Sequence, residues 1–344
     1  MLSPSGLSFL FARNFTFLRP YTIGTTRKGG TYMQLDVRTF PKSFLDGQFD
    51  SIYSQTTDSF KQQTSLDTFY RLATSFNEGV RRYRVVNDMK LNGSRHLVWI
   101  DDRKERVLSV TFNQDDLIEE LLMTPHQPDS RGDRRFTKHT YHLPFTDDWL
   151  VLSGGTHPGE NRHYPERAQR YAYDFIKVNN NWSYNKTKSG NHSFYAFGER
   201  VITPLDGTVV VVVDDVPDVP DSSRPFGNHV ILEHANGEYS LLAHLEAGSI
   251  AVNVGDRVKT RQLIGRCGNS GDSSEPHLHF QVMDSPDLAS ATSLRIRLKG
   301  RKKPVRGQIV RPKPSNLPNR TDLAADFLFE LALAVPRLLF NFWR

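Results

Sequence analysis

The sequence predicts two domains, an α+β domain at residues 40–124 and a mainly antiparallel β domain at residues 141–298. Three observations predict this fold class. The chain has 344 residues, a length typical of about two domains. Its first part has apolar residues at helical spacings, and its later part has short apolar runs separated by Gly, Pro, Asn and Asp. Its single cysteine, Cys267, excludes an internal disulfide framework and a cysteine-rich zinc module.

Residues 1–32 are expected to be a poorly ordered leader. The apolar run at residues 7–11 is short and precedes Arg13 and Arg19. A secretory signal has the opposite order, with basic residues first and a longer apolar stretch after them. The sequence therefore carries no convincing signal peptide, and no uncharged apolar run reaches the roughly 18 residues of an ordinary transmembrane helix.

The α+β domain is predicted from two helical patterns and three strand patterns. Residues 44–60 and 65–79 predict helices, because their apolar residues recur at spacings of three, four and seven. The predicted strands lie at residues 83–91, 96–101 and 106–112. This order of elements weakly resembles the cone-shaped domains related to nuclear transport factor two and to cystatins. The resemblance implies a targeting or spacer module.

Residues 125–140 predict a linker, because they are polar and contain Pro, Gly and several charges. Short strand patterns follow, separated by turn residues. These patterns lie at residues 201–202, 209–213, 229–234, 239–245, 262–266 and 277–283. Short strands at such spacing are typical of a β sandwich or barrel.

The basic residues of the chain are concentrated near its end. The net charge is only +6, yet ten Lys and Arg and no acidic residue lie between Arg295 and Arg320. The remainder is slightly acidic, which argues against a broad nucleic-acid-binding face. Residues 299–320 are therefore predicted to be a basic linker.

Residues 321–344 predict a C-terminal amphipathic helix with Thr321 as its N-cap. Its acidic residues argue against spanning a bilayer. Its apolar face follows the basic segment, and this combination suits contact with an anionic membrane surface. Packing on the protein's own surface is the alternative.

Residues 276–280, with the sequence Pro-His-Leu-His-Phe, carry the strongest chemical signal. In a strand, His277 and His279 point to the same side. One imidazole of such a pair can ligate a metal while the other lines the same cleft. Asp174 lies within another apolar strand pattern, where a buried carboxylate needs a cation, a metal or several hydrogen bonds. His244 ends a third strand pattern.

Residues 171–283 resemble the lysostaphin-like zinc metalloendopeptidases, which cleave peptide cross-links of bacterial peptidoglycan. The motifs are Ala-His-Leu, Val-Gly-Asp-x-Val-Lys, Gln-x-Ile-Gly, Gly-x-Ser-Gly and Pro-His-Leu-His-Phe, in this order. The resemblance implies that Asp174 and His279 bind zinc. It also implies that His244 and His277 are unligated, activate a zinc-bound water and stabilise the tetrahedral intermediate. A β sandwich of the lysostaphin-like type, a peptide or peptidoglycan substrate and an envelope or extracellular location follow from the same resemblance.

One position departs from the family pattern. The family's first ligand is a histidine four residues before the aspartate, and here that position is Arg170. Arginine stays protonated and cannot ligate zinc. His163, on the same upstream segment, is the expected replacement, and His157 and His192 are weaker choices. Arg170 is then expected to orient Asp174 by a charge-assisted hydrogen bond.

Two other interpretations stay open at this point. In the first interpretation, the chain has lost its metal and is an inactive relative that binds or activates a partner. Alternatively, residues 254–265 belong to a barrel-sandwich carrier domain for biotin or lipoyl groups. That reading needs a lysine at an exposed hairpin tip, whereas Lys259 is followed by Thr260-Arg261 in a connecting turn, and the histidines have no role in a carrier.

Overall fold

The computed structural model describes residues 9–11, 37–126, 131–300 and 303–312. The predicted C-terminal helix at residues 321–344 and most of the predicted leader lie outside these ranges. Within the described ranges, no helix is long and apolar enough to cross a membrane.

Four short helices stand where the sequence predicted two. They are Phe40–Leu45 (α1), Phe49–Ser54 (α2), Asp58–Gln63 (α3) and Leu66–Asn77 (α4). The prediction of one helix over residues 44–60 is wrong for a local reason. Gly47 has a left-handed φ of +74° just after α1, and Thr57 has extended backbone and accepts a hydrogen bond from the Phe60 amide to start α3.

An antiparallel sheet packs against these helices. Its strands are Phe9–Phe11 (β1), Tyr83–Leu91 (β2), Ser94–Asp101 (β3), Arg106–Phe112 (β4) and Ile118–Pro125 (β5). The strand order is β1-β5-β4-β3-β2, so the three predicted strands are present. Because β1 pairs with β5, residues 9–11 do not meet the expectation of a poorly ordered leader.

The central strands β3 and β4 are buried along nearly their whole length. Continuous rather than alternating burial indicates a sheet covered on both faces. On one face, the ring of Trp99 stacks on Phe40 of α1, with 5.5 Å between ring centroids. On the other face, Val98 and Val107 belong to a separate apolar cluster. Gly159 of the β domain lies against this second face.

The prediction of a mainly antiparallel β domain is confirmed. Its strands are Phe136–Tyr141 (β6), Trp149–Ser153 (β7), Tyr173–Ile176 (β8), Arg200–Ile202 (β9), Gly207–Val213 (β10), Asn228–His234 (β11), Glu238–Leu245 (β12), Arg257–Val258 (β13), Leu263–Arg266 (β14), Leu278–Met283 (β15), Ser293–Leu298 (β16) and Ile309–Val310 (β17). The main sheet has the order β13-β10-β11-β12-β15-β8-β7-β17, with β16 beside β15 and β6 beside β16. Strands β9 and β14 pair separately.

Two predicted linkers contain strands. The segment at residues 125–140 ends in β6, which runs parallel to β16. The basic segment at residues 299–320 includes β17, which pairs with β7. Arg306 within it is buried, and burial lowers the pKa of its guanidinium to about 10. Backbone hydrogen bonds from Arg306 to Gly154 and from Gly307 to Val151 fix this segment against the β domain. Its high density of basic residues therefore did not indicate a linker.

Candidate metal centre

The sheet order places three of the predicted site residues on adjacent strands. Asp174 in β8 is the register partner of His279 in β15. On the other side of β15, Ala243 in β12 is the register partner of His279, and His244 follows directly. His277 immediately precedes β15. The order β12-β15-β8 therefore gathers residues that are up to about a hundred positions apart in the sequence.

His163 comes from a turn rather than a strand, and Asn161 holds that turn in place. The Asn161 side chain is fully buried. Its Nδ2 donates to the carbonyls of Gly155, Arg170 and Ala172, at 3.1, 3.0 and 3.3 Å, and its Oδ1 accepts from the His163 amide at 2.9 Å. One amide side chain thus fixes both ends of the turn that carries His163.

The structure brings His163, Asp174 and His279 together. His163 Nε2 lies 2.9 Å from Asp174 Oδ2, and His279 Nδ1 lies 3.0 Å from Asp174 Oδ1. One possible ligand atom from each residue lies within 4.8 Å of the others. Zinc–ligand bonds of 2.0–2.1 Å in a tetrahedron separate ligand atoms by roughly 3.3 Å. This donor set of two imidazoles and a carboxylate therefore fits zinc in chemistry, and closure of the cluster around an ion would bring its ligand atoms closer together.

Gln281 orients the His279 ring, and sequence analysis missed it. Gln281 Oε1 accepts from His279 Nε2 at 2.9 Å, while Gln281 Nε2 donates to the Ala168 carbonyl at 3.2 Å. A proton held on Nε2 by this contact would leave the Nδ1 lone pair available to a metal at the centre. The strand alternation that paired His277 with His279 extends to Gln281, so the same pattern contained this signal.

The rings of His244 and His277 pack against each other beside the three clustered residues, with 4.4 Å between ring centroids and 43° between their planes. His277 Nδ1 donates to the Glu275 carbonyl at 2.8 Å, and His244 Nδ1 donates to the Ser270 carbonyl at 2.8 Å. Each neutral ring therefore keeps Nε2 as an acceptor. His277 Nε2 is 3.7 Å from Asp174 Oδ1. The backbone of His244 is left-handed, with φ of +60°, a rare conformation for a residue with a side chain.

Burial controls the charge of this histidine pair. It lowers the pKa of His277 to about 4 and holds the pKa of His244 well below its usual value. Both imidazoles are neutral at pH 7. Burial acts in the opposite sense on the carboxyl of Asp174, but the neighbouring charges of Arg162 and His163 outweigh it, so the pKa of Asp174 lies well below its usual value. The centre thus holds an ionised carboxylate beside the neutral rings of His244 and His277.

The guanidinium against Asp174 belongs to Arg162, which sequence analysis did not single out. Arg162 Nε lies 3.0 Å from Asp174 Oδ2, and its Nη2 lies 3.5 Å from His277 Nε2. Arg170 was expected to orient Asp174, but Arg162 occupies that position instead. The Arg170 guanidinium lies over the ring of Tyr164, 5.1 Å from the centroid. Arg170 is only four residues from Asp174 in sequence, yet Arg162 lies closer to Asp174 in space because of the turn that Asn161 holds.

The other histidines and the cysteine have structural partners. His157 Nε2 pairs with Glu160 at 3.1 Å, and the ring of His192 packs on Phe197. Cys267 is fully buried, in agreement with a structural role. His234 is buried between the Asp206 carbonyl and Ser240 Oγ.

The chain is similar to several bacterial proteins over about a third of its length. It is 30% identical over 116 residues to the cell division protein DipM of Caulobacter vibrioides, covering 34% of this chain and 16% of that protein. It is 25% identical over 132 residues to the peptidoglycan DD-endopeptidase ShyC of Vibrio cholerae, covering 38% and 30%. It is 35% identical over 98 residues to the glycyl-glycine endopeptidase ALE-1 of Staphylococcus capitis, covering 27% and 25%. The matches thus span less than a third of each relative.

Among solved structures, the antimicrobial peptidase lysostaphin from Staphylococcus simulans is 22% identical. That match covers 46% of this chain and 52% of lysostaphin, with a TM-score of 0.28. A zinc-containing peptidase from Vibrio cholerae is 15% identical, covering 76% and 67%, with a TM-score of 0.25. His163 and Asp174 precede the segment that matches a sequence family, whereas His244, His277 and His279 lie within it. That segment, residues 186–290, matches Peptidase family M23, so the chain contains a domain of this family, as its resemblance to the lysostaphin-like zinc metalloendopeptidases implies.

Proposed function

We propose that the chain is a zinc-dependent endopeptidase that hydrolyses peptide bonds in bacterial peptidoglycan cross-links. The observation that carries this proposal is the convergence of His163, Asp174 and His279 beside the unligated pair His244 and His277. The peptidase family of residues 186–290 and the peptidoglycan endopeptidases among the relatives support the substrate class. The same relatives support action in the cell envelope or outside the cell.

In this proposal His163, Asp174 and His279 hold the zinc ion. When bound, zinc supplies a Lewis acid toward the scissile carbonyl and makes a water molecule more acidic. Gln281 keeps His279 in the tautomer that offers Nδ1, and the Asn161 turn presents His163. These outer contacts matter because such partners fix the orientation of ligand rings.

The neutral pair His244 and His277 moves the proton. With Nδ1–H groups fixed on carbonyls, the Nε2 atoms are the acceptors. One imidazole takes a proton from the attacking water as the water oxygen bonds to the carbonyl carbon. The resulting imidazolium stabilises the oxyanion and then gives this proton to the leaving amine as the C–N bond breaks. The products are a carboxylic acid and an amine, the acid proton then passes to the amine to give a carboxylate and an ammonium group, and the ring returns to its neutral form.

We also propose revised limits for the two domains. The strand pairs extend the peptidase domain from β6 to β17, that is, over residues 136–310. Residues 40–124 are the helper domain, with a separate apolar core around Phe40, Phe69 and Trp99.

Hydrolysis of purified peptidoglycan by the purified full chain tests the proposed activity. We expect release of un-cross-linked peptides in the presence of zinc, loss of this release after treatment with a chelator, and recovery when zinc is returned. Full activity in the chelated protein would contradict zinc dependence. A chain that binds one zinc ion and cleaves no cross-link would instead favour an inactive relative that binds or activates a partner.

A further inference from the structure

We infer that the N-terminal sheet contributes to zinc affinity, because it positions the segment that carries His163. This inference rests on the proposed zinc site. It assigns a role to residues that the peptidase family model does not match, since strands β2 to β5 of the sheet lie at residues 83–125 and the family match begins at residue 186. It predicts that a change at the contact between the sheet and Gly159, outside the cluster of proposed ligands, alters the affinity for zinc.

The first step is the close contact between Gly159 and the second face of the sheet. A Cβ atom at Gly159 would lie 2.5 Å from Val98 Cγ1 and 2.7 Å from Val107 Cγ1. Real Cβ atoms do not approach so closely, so only glycine fits at this distance. His96 of the same sheet places Nε2 3.4 Å from the Gly159 carbonyl. Thr111 Oγ1 holds the other ring nitrogen of His96, at 3.0 Å.

The second step is the rigid connection from Gly159 to His163, only four residues further on. Glu160 pairs with His157 at 3.1 Å, and both side chains are nearly buried. Asn161 then ties the segment to three backbone carbonyls and accepts from the His163 amide. A shift of Gly159 away from the sheet therefore moves a segment that has little freedom to absorb it before His163.

A third contact reaches the other side of the cleft. Asn92, in the turn between β2 and β3, accepts at Oδ1 from the Ser183 amide at 2.8 Å. Ser183 Oγ donates to the buried carboxyl of Glu275 at 2.7 Å. The Glu275 carbonyl is the acceptor for His277 Nδ1. The sheet thus supports both the segment of His163 and the loop before His277, which a spacer module would not need to do.

Gly159→Ala tests the inference directly. The added methyl group must push the segment away from Val98 and Val107. We therefore expect zinc affinity to fall about tenfold or more, because loss of a residue that orients a metal ligand typically has an effect of this size. The readout is the zinc dissociation constant of the full chain, measured by competition with a chromogenic chelator. Thermal unfolding of the zinc-free protein is measured in parallel.

Gly207→Ala is the matched control. A Cβ at Gly207 would meet the Glu233 carbonyl oxygen at 2.6 Å and His234 Nδ1 at 2.8 Å, so the crowding is similar but lies away from the cleft. We expect lower stability for this variant with a zinc dissociation constant close to that of the unmodified chain. A similar loss of zinc affinity in both variants would overturn the inference, because crowding anywhere would then have the same effect.

A compensating change in the sheet tests whether the contact with Gly159 causes the loss of zinc affinity. Adding Val98→Ala and Val107→Ala to Gly159→Ala removes the methyl groups that the new Cβ meets, so zinc affinity is expected to recover. If Gly159→Ala does not fold, His96→Gln takes its place, with a smaller loss of affinity expected from its altered contact with Gly159. Unchanged affinity in a folded Gly159→Ala variant, or no recovery in the triple variant, would overturn the inference. Absence of zinc binding by the unmodified chain would overturn the proposed metal site instead.

Discussion

Asp174→Ala is expected to abolish zinc binding and hydrolysis together. Both carboxylate oxygens of Asp174 are used in the cluster, one toward His163 and the other toward His279. Its removal takes away one of the three proposed protein ligands, and the only anionic one among them. The loss of zinc affinity should exceed the roughly 10–100-fold that removal of an outer-shell partner costs. Equilibrium dialysis against zinc and the rate of peptidoglycan hydrolysis measure the two effects.

Asp206→Ala is the control for this variant. The Asp206 carboxylate also accepts short hydrogen bonds, from the amide and the hydroxyl of Thr260 at 2.7 and 2.6 Å. Asp206 directly precedes β10, which lies outside the three strands β12, β15 and β8 that form the cleft. We expect it to keep zinc and activity. Stoichiometric zinc in Asp174→Ala would show that the metal lies elsewhere.

His277→Ala is expected to abolish hydrolysis while zinc stays bound. The His277 ring is not one of the three proposed ligands, and its loss removes a proton carrier from the cleft. General acid–base groups contribute typically 10²–10⁴-fold to rate, so the turnover number should fall by about that factor. Turnover and zinc content are measured on the same preparation.

His139→Ala serves as the comparison, because His139 lies on β6 and contacts the Ala235 carbonyl rather than the cleft. Its turnover should match that of the unmodified chain. Loss of zinc from His277→Ala would instead show that the roles of His277 and His279 are reversed, which is a real alternative because His277 Nε2 is 3.7 Å from Asp174.

Strand periodicity accounts for most of what the sequence could predict about the site. Alternation places His277 and His279 on one face, and the apolar surroundings of Asp174 indicate a buried carboxylate. The register of β8 against β15 then brings Asp174 opposite His279. Gln281 follows the same alternation and was within reach of the same argument.

Features that depend on turns were less accessible to sequence reasoning. His163 was expected as the replacement ligand from its place upstream, but nothing in its spacing revealed that Asn161 fixes its turn. The same turn brings Arg162 to Asp174 and sends Arg170 to Tyr164. Contacts of this kind depend on a folded backbone that no local pattern encodes.

Errors in the fold prediction had equally specific causes. Apolar spacing suggested one helix over residues 44–60, but Gly47 and Thr57 interrupt it. Basic composition suggested a linker at residues 299–320, but β17 pairs with β7 and Arg306 is buried. Burial on both faces of β3 and β4 depends on the β domain packing against them, which is a tertiary effect.

The most direct test of the proposed metal centre is an anomalous difference map from crystals of the full chain grown with zinc, with data collected on both sides of the zinc absorption edge. We expect one strong peak about 2.0–2.1 Å from His163 Nε2, a carboxylate oxygen of Asp174 and His279 Nδ1. His244 and His277 should lie beside this peak without ligating it. A peak coordinated without His163, or no peak in the cleft at saturating zinc, would contradict the account.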